Sequence, residues 1–173
     1  MSFYKKLKLK IKNKSATVAI IGLGYVGLPL SVEIAKKGFK VVGYDNNIEK
    51  IEMLKKKKSY IQTIDQSFLK SKKYENFLPT SDVNDLVSID IFIICVPTPL
   101  DKNLSPDLSY LISARNVIDN VLNKGSLIIL ESTTYPGCTD EMYAEYFSTD
   151  YKIGSEVFIG YSPEREDPGN HDF

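Results

Sequence analysis

Apolar residues in this chain fall into short continuous runs separated by amphipathic stretches. Thr17-Val-Ala-Ile-Ile21 is rich in β-branched residues, ends at Gly22 and reads as a fully buried strand. Lys40-Val-Val-Gly-Tyr-Asp45, Ser126-Leu-Ile-Ile-Leu130 and Val157-Phe-Ile-Gly-Tyr161 have the same character. Asp90-Ile-Phe-Ile-Ile-Cys-Val96 is the strongest such run, and Pro97-Thr-Pro99 stops it. Between the strands the period changes. Residues 25–37 predict a helix with Val26, Leu30 and Ile34 on one face, Pro29 in the first turn and Gly38 as its stop. Residues 47–57 predict a helix with Ile48, Ile51 and Leu54 inward. Residues 59–78 read as a further helical stretch with a loop. Residues 107–123 form a helix with Leu108, Leu111, Ile112, Val117, Ile118 and Val121 on one broad face. A last helix over 138–147 carries Asp140 and Glu141 in its first turn, where acids suit the helix dipole. Strands alternating with helices predict an α/β fold: a doubly wound parallel sheet with helices on both faces. There is no internal repeat and no low-complexity linker.

The 173 residues suit one domain. Six lysines and no acid occupy residues 1–14, so 1–15 reads as a solvated, partly disordered basic arm. Leu7 and Ile11, four apart, offer a short amphipathic helix as the alternative. No apolar stretch follows these charges, so no secretory signal is expected here, and the expected location is cytoplasmic. No apolar run reaches the roughly 18 residues of a membrane span. Lysine plus arginine number 22, as do aspartate plus glutamate, so charge offers no reason to expect nucleic acid. Cys95 and Cys138 are the two cysteines and His171 is the one histidine, which excludes a disulfide scaffold and argues against a metal site. Arg115 and Arg165 are the only arginines, which marks each as a candidate anion or ion-pair partner. The chain ends at Phe173, soon after a strand and without a closing helix, so the expectation is a fragment of a longer protein.

Gly22-Leu-Gly24-Tyr-Val-Gly27 is a G-x-G-x-x-G sequence that follows a strand and opens a helix. In that setting Gly22 allows a tight turn, Gly24 lets backbone approach a pyrophosphate, and Gly27 permits close helix–strand packing. Asp45 ends the second strand eighteen residues on, where a carboxylate accepts from a ribose 2′-OH and repels a 2′-phosphate. With Asn46 beside it instead of a base, NAD is the expected cofactor, held by a Rossmann-like domain over 16–173 that is incomplete at its C-terminal end.

Four segments occur in order: Gly22–Leu30, Cys95-Val-Pro-Thr-Pro-Leu100, Glu131-Ser-Thr-Thr-Tyr-Pro-Gly137 and Ser162-Pro-Glu-Arg-Glu-Asp-Pro-Gly-Asn170. Together they resemble the UDP-glucose/GDP-mannose 6-dehydrogenase family from about residue 16 to the end. The last three are similar to its UDP-N-acetylglucosamine branch, with branches acting on UDP-N-acetylgalactosamine or UDP-N-acetylmannosamine as alternatives. The resemblance implies oxidation of a sugar C6 alcohol to a carboxylate with two NAD+, for polysaccharide biosynthesis, in a homo-oligomer. It also implies a central dimerisation region and a UDP-binding domain, neither present here, and a catalytic cysteine beyond these residues.

By resemblance and motif together, the cofactor residues are Gly22, Gly24, Tyr25, Val26, Gly27, Asp45, Lys50, Pro97, Thr98 and Thr133. Thr133 is further expected to place a water, and Glu164 to act as the base in thioester hydrolysis. Glu164, Arg165 and Glu166 are the expected substrate contacts. Cys138, at a helix start, has the position of an activated thiol. The family's threonine here is a helix cap paired with a glutamate three residues on, a place Glu141 fills, so a structural role is expected instead. Cys95 is expected to be an inert core residue. A stand-alone NAD-binding module and another Rossmann dehydrogenase are the competing readings, and Ser162–Asn170 argues against the latter.

Overall fold

A strand that is apolar on both sides must be covered on both faces. The computed structural model, which describes residues 1–62, 64, 66–100, 102 and 104–163, meets that demand with two cores. Six strands form one sheet: β1 (Thr17–Ile21), β2 (Lys40–Tyr44), β3 (Phe77–Thr80), β4 (Ile91–Ile94), β5 (Leu127–Leu130) and β6 (Phe158–Tyr161). All pairings are parallel, in the spatial order β3-β2-β1-β4-β5-β6. Val18, Ile20, Val41, Ile91 and Ile93 point into one core. Their neighbours Ala19, Ile21, Val42, Phe92 and Ile94 point into the other. This is the Rossmann topology, with helices on both faces.

The helices are α1 (Phe3–Lys12), α2 (Gly27–Lys36), α3 (Ile48–Lys55), α4 (Gln66–Lys70), α5 (Ser109–Asp119) and α6 (Glu145–Phe147). The first core takes Leu7 from α1, Leu28, Val32 and Ala35 from α2, Ile51 and Leu54 from α3, and Phe68 and Leu69 from α4. The second takes Leu111, Ala114 and Ile118 from α5, with Tyr143 and Phe147 from the last helix. There a π-helical turn, Asp140–Ala144, runs directly into α6. Among the described residues, no helix is long and apolar enough to cross a membrane.

Several expectations need correction. The basic arm is not disordered: α1 is capped by Ser2, whose hydroxyl accepts from the Lys5 N–H at 3.4 Å, and it buries Leu7. Lys10 Nζ lies 2.6 Å from Asp90, whose other oxygen accepts from the Thr17 N–H at 3.0 Å, so α1 is tied to the base of β1. The stretch 59–78 is not all helix and loop; it ends in β3, a sheet strand. The inward face of α2 is Leu28, Ser31, Val32 and Ala35, with Val26, Leu30 and Ile34 flanking it half-buried. Ile48 and Ile112 face outward, at 66% and 40% exposure. Each sits at a position where a 3.6-residue period tolerates either side.

If α1 is held by packing, Leu7→Ala should cost about 2–4 kcal/mol. Thermal or denaturant unfolding measures this, and an unchanged midpoint would show that the helix adds nothing to the core.

Candidate functional site

The carboxyl ends of β1, β2, β4 and β5 meet around a cavity of about 310 Å³. It sits over the β1–β4 boundary, where the strand order reverses, the place at which open α/β sheets bind ligands. Backbone ladders carry the strand ends to it: the Gly22 N–H donates to Tyr44 O at 2.8 Å, Cys95 to Ile21 O at 2.8 Å and Glu131 to Ile94 O at 3.0 Å. Gly22, Gly24, Tyr25, Val26, Asp45, Lys50, Pro97, Thr98 and Thr133 all line the cavity. Gly27 does not; it lies behind the turn.

The glycines divide their work. Gly22 has φ +95°, and a Cβ there would meet Cys95 O at 2.8 Å. A Cβ on Gly27 would lie 1.9 Å from Gly22 O, so only glycine lets α2 start this close to β1. At Gly24 a Cβ would meet nothing within 4 Å; that space opens to the cavity. Val26 precedes α2 with no side-chain cap, and no acid occupies the first turn. The helix start thus offers N–H groups and a positive dipole end to an anion.

Asp45 is 7% exposed. Its Oδ2 accepts from the Leu23 N–H at 2.9 Å and from Lys50 Nζ at 3.2 Å, and its Oδ1 accepts from the Asn47 N–H at 2.9 Å. A carboxylate has about four acceptor positions. These bonds therefore leave capacity for a ribose hydroxyl. The base missing beside Asp45 in the sequence is supplied by α3, which starts at an Asn47 cap and swings Lys50 back. Lys50 also lies 5.6 Å from the ring centre of Tyr60, whose hydroxyl donates to Leu23 O at 2.5 Å. Burial, and then the negative charge of Asp45, push the Tyr60 phenol well above its usual range and keep it a donor.

At the other end, Thr98 Oγ1 donates to Thr133 O at 2.7 Å and Ser132 Oγ donates to Val96 O at 2.7 Å. These bonds tie the loops after β4 and β5 together. The Ser162 N–H donates to Leu130 O at 3.0 Å, which starts the next segment beside β5. Glu164, Arg165 and Glu166 lie outside the described residues.

Sequence reasoning missed some of the lining. Cys95, Val96 and Glu131 also line the cavity, as does Ser132, whose hydroxyl lies in the Ser132–Thr134 run expected to bond nicotinamide or a water. A smaller recess of about 220 Å³ continues past Asp45 and is lined by Tyr110, Ser113, Ala114 and Val117 of α5. Their i, i+3, i+4, i+7 spacing was a readable signal. Two candidates prove structural. Cys138 is fully buried, and burial pushes its thiol up, against side-chain bonds to Thr134 and Tyr135 that pull it down. The expected cap pairing with Glu141 is replaced by the Tyr135 hydroxyl, which donates to Glu141 Oε2 at 2.7 Å. Arg115 stacks on Tyr146, 3.8 Å from the ring centre, and donates to Met142 O at 3.4 Å, joining α5 to the last helix.

An uncapped helix start, open space at Gly24 and a buried carboxylate with acceptor capacity to spare fit a dinucleotide, and the fold and site define a Rossmann dinucleotide-binding domain. The chain belongs to the UDP-glucose/GDP-mannose dehydrogenase family, whose NAD binding domain matches residues 16–172. NAD is the cofactor. The chain is 42% identical over 160 residues to a UDP-N-acetyl-D-glucosamine 6-dehydrogenase of Pseudomonas aeruginosa, covering 91% of this chain and 37% of that protein. It is 36% identical over 164 residues to the UDP-N-acetyl-D-mannosamine dehydrogenase of Escherichia coli K12, covering 89% of this chain and 38% of that one. The structure of the UDP-D-ManNAc dehydrogenase of Pyrococcus horikoshii superposes with a TM-score of 0.82 at 36% identity, over 88% of this chain and 37% of that one. The chain thus spans little more than a third of the length of these relatives.

Two glycine variants should separate packing from ligand approach. Gly27→Ala should destabilise the fold by several kcal/mol through the clash with Gly22 O. Gly24→Ala should keep its melting temperature and lose NAD+ affinity, measured by calorimetry. Unchanged affinity in Gly24→Ala would place the pyrophosphate elsewhere.

Proposed function

We propose that this chain is the NAD-binding part of a UDP-N-acetylhexosamine 6-dehydrogenase, which oxidises the sugar C6 alcohol to the uronic acid with two NAD+. The observation that carries the reading is the polarity of the cavity. Asp45 marks one end, and the tied loops bearing Thr98 and Thr133 mark the other. An adenosine ribose at Asp45 puts the nicotinamide beside Thr133 and next to the segment that leaves β6. The bound cofactor supplies a hydride acceptor there. Relatives named for UDP-N-acetylglucosamine and UDP-N-acetylmannosamine support the sugar class.

In this reading the Thr133 hydroxyl, at the exposed mouth, holds a water near the sugar C6. Glu164, three positions after the last residue of β6, accepts that water's proton, and Arg165 and Glu166 contact the substrate. The nucleophile of the family lies outside these residues; Cys138 is too buried to replace it. The chain alone therefore binds NAD+ without turning over. The whole enzyme works as a cytoplasmic homo-oligomer on a UDP-sugar.

Calorimetry with both cofactors and NADH absorbance with UDP-N-acetylglucosamine test this. NAD+ should bind at least about tenfold tighter than NADP+, since a carboxylate repels the 2′-phosphate. Asp45→Ala should narrow the gap. This chain should give no sustained NADH, and the full-length enzyme should give two NADH per sugar. Equal affinities would remove Asp45 as the ribose reader, and sustained turnover by the chain alone would return a cysteine within it to candidacy.

A further inference from the structure

Leu23 sits between the first two glycines of the turn, and side chains take both of its backbone polar groups. Its N–H donates to Asp45 Oδ2 at 2.9 Å, and its carbonyl accepts from the Tyr60 hydroxyl at 2.5 Å. Asp45 also accepts from Lys50, whose ammonium lies 5.6 Å from the centre of the Tyr60 ring. Leu23, Asp45, Lys50 and Tyr60 therefore close a ring of contacts around the turn. Asp45 and Lys50 line the main cavity, whereas Leu23 and Tyr60 do not. Tyr60 reaches the turn from a braced segment. The Ser59 hydroxyl accepts from the Ile61 N–H at 3.0 Å and donates to Ile61 O at 2.9 Å, which pins the backbone on either side of Tyr60. Tyr60 and Ile61 both pack against the first core.

The carbonyl that Tyr60 holds belongs to the peptide joining Leu23 to Gly24. That peptide is trans, so its C=O and N–H point in opposite directions. Fixing Leu23 O therefore also fixes the Gly24 N–H and aims it away from Tyr60. Among the described residues nothing accepts from that N–H, and Gly24 lines the cavity with open space beside its Cα. The peptide on the other side of Gly24 is set separately, since Gly24 O accepts from the Leu28 N–H at 3.1 Å. Gly24 has no side chain to restrict its backbone, so its amide is oriented by these bonds.

We propose that Tyr60 is a positioning residue for the cofactor: its hydroxyl holds the Leu23–Gly24 peptide so that the Gly24 N–H points into the cavity and donates to the pyrophosphate. An amide fixed before the ligand arrives loses little freedom on binding. Hydrogen bonds to charged oxygens are stronger than those to neutral ones, so the alignment matters most at the phosphates. The Tyr60 ring acts separately, by standing against Lys50, which holds Asp45 at the ribose end. Removing the hydroxyl alone therefore affects the phosphate end and spares the ribose end. This role rests on NAD binding and is independent of the identity of the sugar.

The test compares NAD+ with adenosine, which has the base and one ribose and no phosphate, on the wild-type chain and Tyr60→Phe. Calorimetry measures the first ligand and ligand-observed NMR the second. Tyr60→Phe should weaken NAD+ about tenfold and leave adenosine within about twofold. A residue that only supports the fold would lower the melting temperature without changing the ratio of the two affinities. An unchanged ratio, whether both ligands are kept or both are lost equally, overturns the proposal. Amide NMR spectra give a second readout. In the wild type the Gly24 amide proton should move downfield with NAD+ and stay in place with adenosine, and in Tyr60→Phe that movement should shrink. A wild-type Gly24 amide that does not respond to NAD+ overturns the proposal, whether or not the variant folds. Failure of the wild type to bind NAD+ at all would strike the cofactor assignment and this role with it, a result distinct from an unchanged ratio.

Discussion

The first turn of α2 lies against the end of β1 with no room for a side chain between them. Gly27 makes that approach possible, and the residues that follow on the same face, Ser31 and Ala35, are also small. Ser31 turns its hydroxyl back to Gly27 O at 2.7 Å, so its polar atom is satisfied inside the contact. A larger residue at any of these places would lift the helix off the sheet. Because α2 sits low, its N-terminus opens beside the ends of β1 and β4, and the cavity has a positive rim where a phosphate pair belongs.

Asp45 connects that constraint to recognition. Its carboxylate accepts the Leu23 N–H and so holds the glycine turn in shape while facing the cavity. The Asn47 N–H and Lys50 fix its orientation from the other side. In the proposed reading the residue that shapes the turn also reads the ribose, so it cannot be changed for one purpose alone. Tyr60 adds a strut by donating to Leu23 O from a segment remote in sequence. At the opposite end the loops after β4 and β5 bond to each other, so the cavity is built from rigid strand ends at both limits.

How far the sequence could be read follows from burial. β1, β2, β4 and β5 lie inside the sheet and present unbroken apolar runs, which is why each was visible. β3 is an edge strand of four residues with Leu78 half exposed and Pro79 within it, and a 3-10 turn precedes it, so neither alternation nor length announced it. α1 looked like a charged tail because its burial rests mainly on Leu7 amid lysines. The glycine turn and Asp45 were legible because their chemistry is local. Lys50 as the partner of Asp45 was not, since it depends on where α3 begins, and Glu131 was hidden within a segment read for its hydroxyls.

A crystal structure of this chain with NAD+ tests the central claim most directly. The pyrophosphate should lie over Gly24 at the start of α2, a ribose hydroxyl on Asp45, and the nicotinamide at the Thr98–Thr133 end. A cofactor bound in the opposite direction, or away from the β1–β4 boundary, would contradict it.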